Sequence, residues 1–160
     1  MVGTAVALLR GQVQRDDLLW KVYEYQRLLA QASVFGDRLG AESRNRLAQL
    51  ERDLEQGAQV TPSGPRRRFA RASVDLRATL KAGGRVHPVH VVNLGGGGLC
   101  VEPAPTLQSG ERAVVKLTSA ETGESYAYPV EARWTKRSAR MSTMGLPFVG
   151  VPLRTLSPKK

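Results

Sequence analysis

Apolar residues recur along this 160-residue chain at two different periods. Over residues 4–35 there is no proline and one glycine, Gly11, and Leu18, Val22, Tyr25 and Leu29 fall on one stripe at helical spacing, with Leu19 and Tyr23 beside it. Gly36 is a stop signal. A second run, 41–56, places Leu47, Leu50 and Leu54 three and four apart, with Arg and Glu on the other faces and Gly57 at its end. The two runs predict a helical hairpin. Two helices alone bury too little apolar surface to be stable. The hairpin therefore packs either on the rest of its own chain or on a second copy, as a homodimer.

Residues 61–65, TPSGP, have the composition of a turn or linker. Beyond them the period becomes two: Val74, Leu76, Ala78 and Leu80 alternate with Ser73, Asp75, Arg77 and Thr79. KAGG at 81–84 reads as a hairpin turn, the run 86–92 returns, and 98–102, 112–118, 125–136 and 144–151 follow as short strands, with ETGES at 121–125 as another turn. Six short antiparallel strands hide their edges most economically by closing into a small barrel. The expected architecture is α+β: a helical extension over 1–57, a linker over 58–65, a six-stranded antiparallel barrel over 66–155 and a basic tail over 156–160.

Placing the charge sharpens this division. Residues 1–57 hold eight basic and eight acidic residues, whereas 58–160 hold sixteen basic and six acidic, so the strand-forming part carries the entire net charge of +10. An excess confined to one part of a chain points to an anionic partner for that part. The single cysteine, Cys100, forms no internal disulfide and suits a reducing compartment. The apolar opening MVGTAVALLRG has no basic residue before Arg10, unlike an export signal, and no stretch approaches the ~18 apolar residues of a membrane span. A cytoplasmic location is expected.

Catalytic signatures find little support. His87 and His90 are three apart on a strand, which sends them to opposite faces and disfavours a shared metal. No nucleophile has a base at motif spacing, and the four glycines 95–98 lack the Lys-Ser/Thr of a phosphate-binding loop and precede a strand rather than a helix. We read no enzyme and no cofactor. The remaining cluster is PRRRFAR at 65–71, whose Arg66, Arg67, Arg68 and Arg71 are of the type that grips phosphate or a guanine edge in a planar, bidentate way.

Arg67 and Arg71, followed by an alternating strand, fit the RxxxR signature of the PilZ family, and NLGGGG at 93–98 falls on that family's (D/N)xSxxG signature. GLCVE at 98–102, the tryptophan strand at Arg133-Trp134 and the closing MGLPF at 144–148 agree. The resemblance covers roughly residues 66–153 and leaves the helices unexplained. It implies a six-stranded barrel that binds the bacterial second messenger cyclic di-GMP. Arg67 and Arg71 would reach guanine and phosphate groups, with Arg66 and Arg68 as supporting charge; Asn93 would hydrogen-bond a guanine; Gly97 and Gly98 match the family's glycine pair, with Gly98 giving a conformation or clearance that a Cβ would block. Gly95 departs from the pattern, because the family has serine there. One lost neutral hydrogen bond is worth about 1 kcal/mol, roughly five- to tenfold in affinity.

The implied function is a receptor that clamps cyclic di-GMP between the arginine loop and the barrel, reorients its helical hairpin and so signals to an unidentified downstream protein. Family members serve motility, polysaccharide secretion and gene regulation. The alternative is a degenerate protein-interaction module with little or no ligand binding, which Gly95 favours and the intact RxxxR opposes. Nucleic-acid binding is a third class, supported by the basic segments RWTKRSAR and SPKK but lacking interleaved aromatics and a base-reading helix.

Overall fold

The computed structural model describes residues 3–55, 71–119 and 122–156, with side chains from residue 17 onward. The predicted linker, Arg66 to Arg68 and most of the basic tail lie outside the described residues. Helix α1, Gly3–Phe35, leads through a single 3-10 turn, Gly36–Arg38, into α2, Ala41–Glu55. Gly36 takes φ 52°, the left-handed conformation that ends a helix without steric cost.

The strands form one antiparallel sheet: β1 Ala72–Ala82, β2 Arg85–Leu94, β3 Gly98–Glu102, β4 Arg112–Thr118, β5 Ser125–Glu131, β6 Trp134–Arg137, β7 Ser142–Pro147 and β8 Leu153–Thr155. Their spatial order is β6-β7-β3-β2-β1-β4-β5-β8. Gly83 and Gly84, at φ 55° and 78°, supply the two positive values that a tight β1–β2 turn matching strand twist demands.

Eight strands in an open sheet replace the expected six in a closed barrel, for two reasons visible in the chain. The run 125–136 changes partner midway: β5 pairs with β4, then the Arg133 N–H bonds to the Gly145 carbonyl and β6 pairs with β7. The run 144–151 stops pairing at Pro147, which has no N–H to donate. Beyond it Phe148 makes a single bridge to Val130, and the chain turns after Gly150 to lay β8 along β5. The sheet thus curls until β7 and β5 nearly meet, without a ladder joining them.

Alternation fills the concave face with Val74, Ala78, Leu80, Val89, Val91, Val115, Leu117, Tyr128 and Val130. The helices cover this face and belong to the same core, through Leu19, Val22, Tyr25 and Leu28 of α1 and Leu50 and Leu54 of α2. The hairpin therefore docks on its own chain. Val22 and Tyr25 of the expected stripe of α1 are buried, and the stripe differs at its ends: Leu19 is inside and Leu18 half-buried, Leu28 is inside and Leu29 is 41% exposed. Because α1 meets the sheet on one side and α2 on another, its apolar face is wider than a single stripe. The Tyr128 hydroxyl of β5 donates to the Leu19 carbonyl of α1 at 3.1 Å, and within the hairpin Arg46 of α2 grips Glu24 of α1 at 2.8 and 3.0 Å. None of the described helices is long and apolar enough to cross a membrane.

Two consequences are measurable. Leu50→Ala should cost about 2–5 kcal/mol, and helical and tyrosine signals should be lost in one denaturant transition; separate transitions would contradict a shared core. The hydrogen bonds from Arg46 hold the Glu24 carboxyl below the ordinary carboxylate range, against the opposing effect of burial. A depressed acid stabilises the fold above its unfolded pKa and loses that contribution as pH falls through the lowered folded value. Arg46→Ala should therefore reduce stability at neutral pH and flatten the acid limb of the stability profile.

Candidate functional site

Between β2 and β3 the glycine run makes a turn that no side chain can hold by packing, so its order must come from backbone partners. Three such bonds hold it. The Gly95 N–H donates to the Gly98 carbonyl at 3.0 Å, the Gly96 carbonyl accepts from Gln26 Nε2 at 2.6 Å, and the Gly97 carbonyl accepts from the Phe148 N–H at 3.0 Å. The turn is held by its own strands, by the segment after β7 and by helix α1.

Gly98 is required by packing. A Cβ there would lie 2.7 Å from the Leu146 carbonyl oxygen and 2.9 Å from the Pro147 Cα, so β7 passes where a side chain would be. The clearance expected at this position is toward the protein's own backbone. Gly145 is under a similar constraint: its register partner on β6 is Trp134, and a Cβ on residue 145 would sit 2.2 Å from the indole Cε2. The ring lies across the glycine, as aromatics do when they cover a bare strand position. It remains 41% exposed.

These strands and turns surround an open cleft of about 430 Å³, edged by Arg71, Gly95, Gly97, Gly98, Arg133, Trp134 and Gly145 and floored by Leu99, Leu146 and Pro147. Among the described residues its lining holds two guanidinium groups, one indole and no carboxylate. Such a surface suits an anionic ligand with a planar ring. Arg71, just ahead of β1, directs Nη1 to the Cys100 sulfur at 3.7 Å, and among the described residues no carboxylate pairs with it. Cys100 is 1% exposed and behaves as a small apolar strand residue.

Of the residues singled out in the sequence, the fold gathers Arg71, Gly95, Gly97 and Gly98 around one cleft. Asn93 stands beside it: its strand partners are Ser73 and Cys100, and its Oδ1 is buried without a hydrogen-bond partner among the described residues. Arg66, Arg67 and Arg68 lie outside the described residues. His90 pairs with Asp75 at 2.9 Å on the outer face. Among the described residues no group of His, Cys, Asp and Glu is arranged to hold a metal.

Three residues at the site, Arg133, Trp134 and Gln26, were given no ligand role by the sequence. Arg133 and Trp134 stood out there only as a tryptophan strand within a basic segment, and their place opposite Gly145 depends on the chain's change of partner after β5. Gln26 had a clearer signal, since a polar residue among the apolar positions of α1 needs a buried partner.

Comparison with known proteins gives a match to the PilZ domain over residues 65–157. No curated protein matches. Among solved structures, the Bacillus subtilis inhibitor of motility, MotI/DgrA, aligns over 55% of this chain and 44% of its own, with 18% identity and a TM-score of 0.49. The Borreliella burgdorferi PlzA protein, solved in complex with c-di-GMP, aligns over 66% of this chain and 40% of its own, with 14% identity and a TM-score of 0.38. The chain thus spans less than half the length of either structure.

The Trp134–Gly145 contact can be tested optically. In a Trp20→Phe background, Gly145→Ala should push the remaining indole outward, red-shift its emission and cost roughly 1–3 kcal/mol; unchanged emission would contradict the packing.

Proposed function

The chain belongs to the PilZ domain family, a family of cyclic di-GMP receptors, and we propose that it binds cyclic di-GMP in the cleft between Arg71 and the glycine turn. The observation that carries this reading is the convergence of Arg71, Gly95, Gly97, Gly98 and Trp134 on one open cleft that no carboxylate lines among the described residues.

The ligand's chemistry fits these groups. A guanidinium can bind the O6/N7 edge of a guanine or a phosphate with two parallel hydrogen bonds. Arg71 and Arg67 are the pair for this role, with Arg66, Arg68 and Arg133 adding positive field. The exposed indole of Trp134 offers a face for a guanine, a stacking contact worth about 1–3 kcal/mol. Asn93 Oδ1 is an acceptor without a partner among the described residues, the type of atom that a guanine N–H edge satisfies. Gly95 provides no hydroxyl, so affinity sits below that of a serine-bearing site.

The shared core limits how a bound ligand can act. Swinging the helical hairpin away would expose Leu19, Val22, Tyr25 and Leu28 of α1 and, with them, the sheet side chains they cover, at roughly 1.5–3 kcal/mol for each fully exposed side chain. Counted on both surfaces, that cost outweighs the approximately 8 kcal/mol of a micromolar ligand. We therefore assign the response to the chain between α2 and β1, which carries Arg66, Arg67 and Arg68, while the hairpin stays docked. A downstream protein would read the surface that this segment, the ligand and α1 make together. The second reading, an interaction module without ligand, rests on Gly95 alone.

Titration calorimetry of the full chain should give saturable cyclic di-GMP binding, selective over GTP and weaker at higher salt. Arg71→Ala should weaken it at least tenfold, since an ionic hydrogen-bonding group contributes about 1.5–3 kcal/mol, and Gly95→Ser should tighten it about five- to tenfold. An absence of binding heat, with no rise in Tm at high ligand concentration, would favour the interaction module.

A further inference from the structure

We propose that Gln26 is a positioning residue for the ligand turn, so that helix α1 sets the affinity of a site formed by the strands. This rests on the cyclic di-GMP reading for its ligand, though not for its geometry. Gln26 is 9% exposed and lies on the face of α1 that carries Val22 and Tyr25 into the core. A carboxamide in such a place is costly unless bonded. Its Nε2 donates to the Gly96 carbonyl at 2.6 Å, across 70 positions of sequence.

Gly96 lies inside the turn, and its carbonyl is the one there that a helix side chain holds. The other two links, Gly95 to Gly98 and Phe148 to Gly97, tie the turn to β3 and to the segment after β7. Remove the Gln26 donor and the central peptide of a four-glycine run is free to rotate, with no Cβ on any neighbour to restrict it. A ligand resting on Gly95, Gly97 and Gly98 must then order that peptide on binding, and affinity falls by the cost of doing so. The relation is reciprocal: whatever the docked helix adds to ligand affinity, the bound ligand adds to helix docking.

Two variants of the full chain separate positioning from stability. Gln26→Met keeps length and bulk and loses the donor. Val22→Ala damages the same helix face at a fully buried position one turn away and leaves the Gln26 donor in place. We expect Gln26→Met to raise the Kd for cyclic di-GMP about three- to tenfold and to speed amide hydrogen exchange at Gly96 to Gly98 in the ligand-free protein. Val22→Ala should lower Tm at least as much and leave both quantities near wild type. Wild-type Kd and exchange in Gln26→Met would overturn the proposal, as would an equal rise of Kd in Val22→Ala. Should the wild-type chain bind no cyclic di-GMP, the ligand assignment fails separately, and the exchange comparison still decides whether Gln26 holds the turn.

Discussion

The arrangement at the cleft depends on how closely β7 approaches β3. With the Leu146 carbonyl 2.7 Å from where a Cβ on residue 98 would be, only glycine allows the two strands to pair there. That close approach lets Phe148 reach the Gly97 carbonyl, and β7 in turn presents Gly145 to the Trp134 ring. The bare backbone that looks like looseness in the sequence is a consequence of tight packing. A larger residue at 98 would separate β3 from β7 and with them the arginine side of the cleft from the indole side.

The helices enter the same constraint from behind. Leu19, Val22 and Tyr25 fill the concave face of the sheet, and Tyr128 bonds back to the Leu19 carbonyl. The register of α1 on the sheet is thereby fixed, and it is this register that carries the Gln26 carboxamide to Gly96. Core packing and site geometry are joined through one side chain.

Much of this was legible beforehand, and the reasons differ by element. Period and stop signals give both helices and their ends to within a few residues, because Gly36 and Gly57 interrupt clear apolar runs. The alternation around Val74 to Leu80 and the paired glycines at 83–84 give the first hairpin for equally local reasons. The division of 125–136 into β5 and β6 was hidden, since a strand that exchanges one neighbour for another keeps its alternation throughout. Trp134 was hidden with it: what an aromatic covers is decided by register, and register is a property of pairs of strands. Leu29 was misplaced for a related reason, because the width of a helix's buried face depends on how many partners surround it. Arg71 and the glycines could be singled out because each of their two motifs is contiguous in sequence, whereas Gln26 is joined to them only by the fold.

The common core also bears on how such a protein can be recombined. By composition the chain divides near residues 58–65, and an exchange of modules at that point would look harmless. A chimera that borrowed only the strands would inherit Tyr128 without the Leu19 carbonyl, Gly96 without its amide donor and a concave apolar face with nothing over it. The smallest portable unit in this chain is the sheet together with its two helices, and a lineage that traded the helices for another cover would have to find a new residue to stand where Gln26 does.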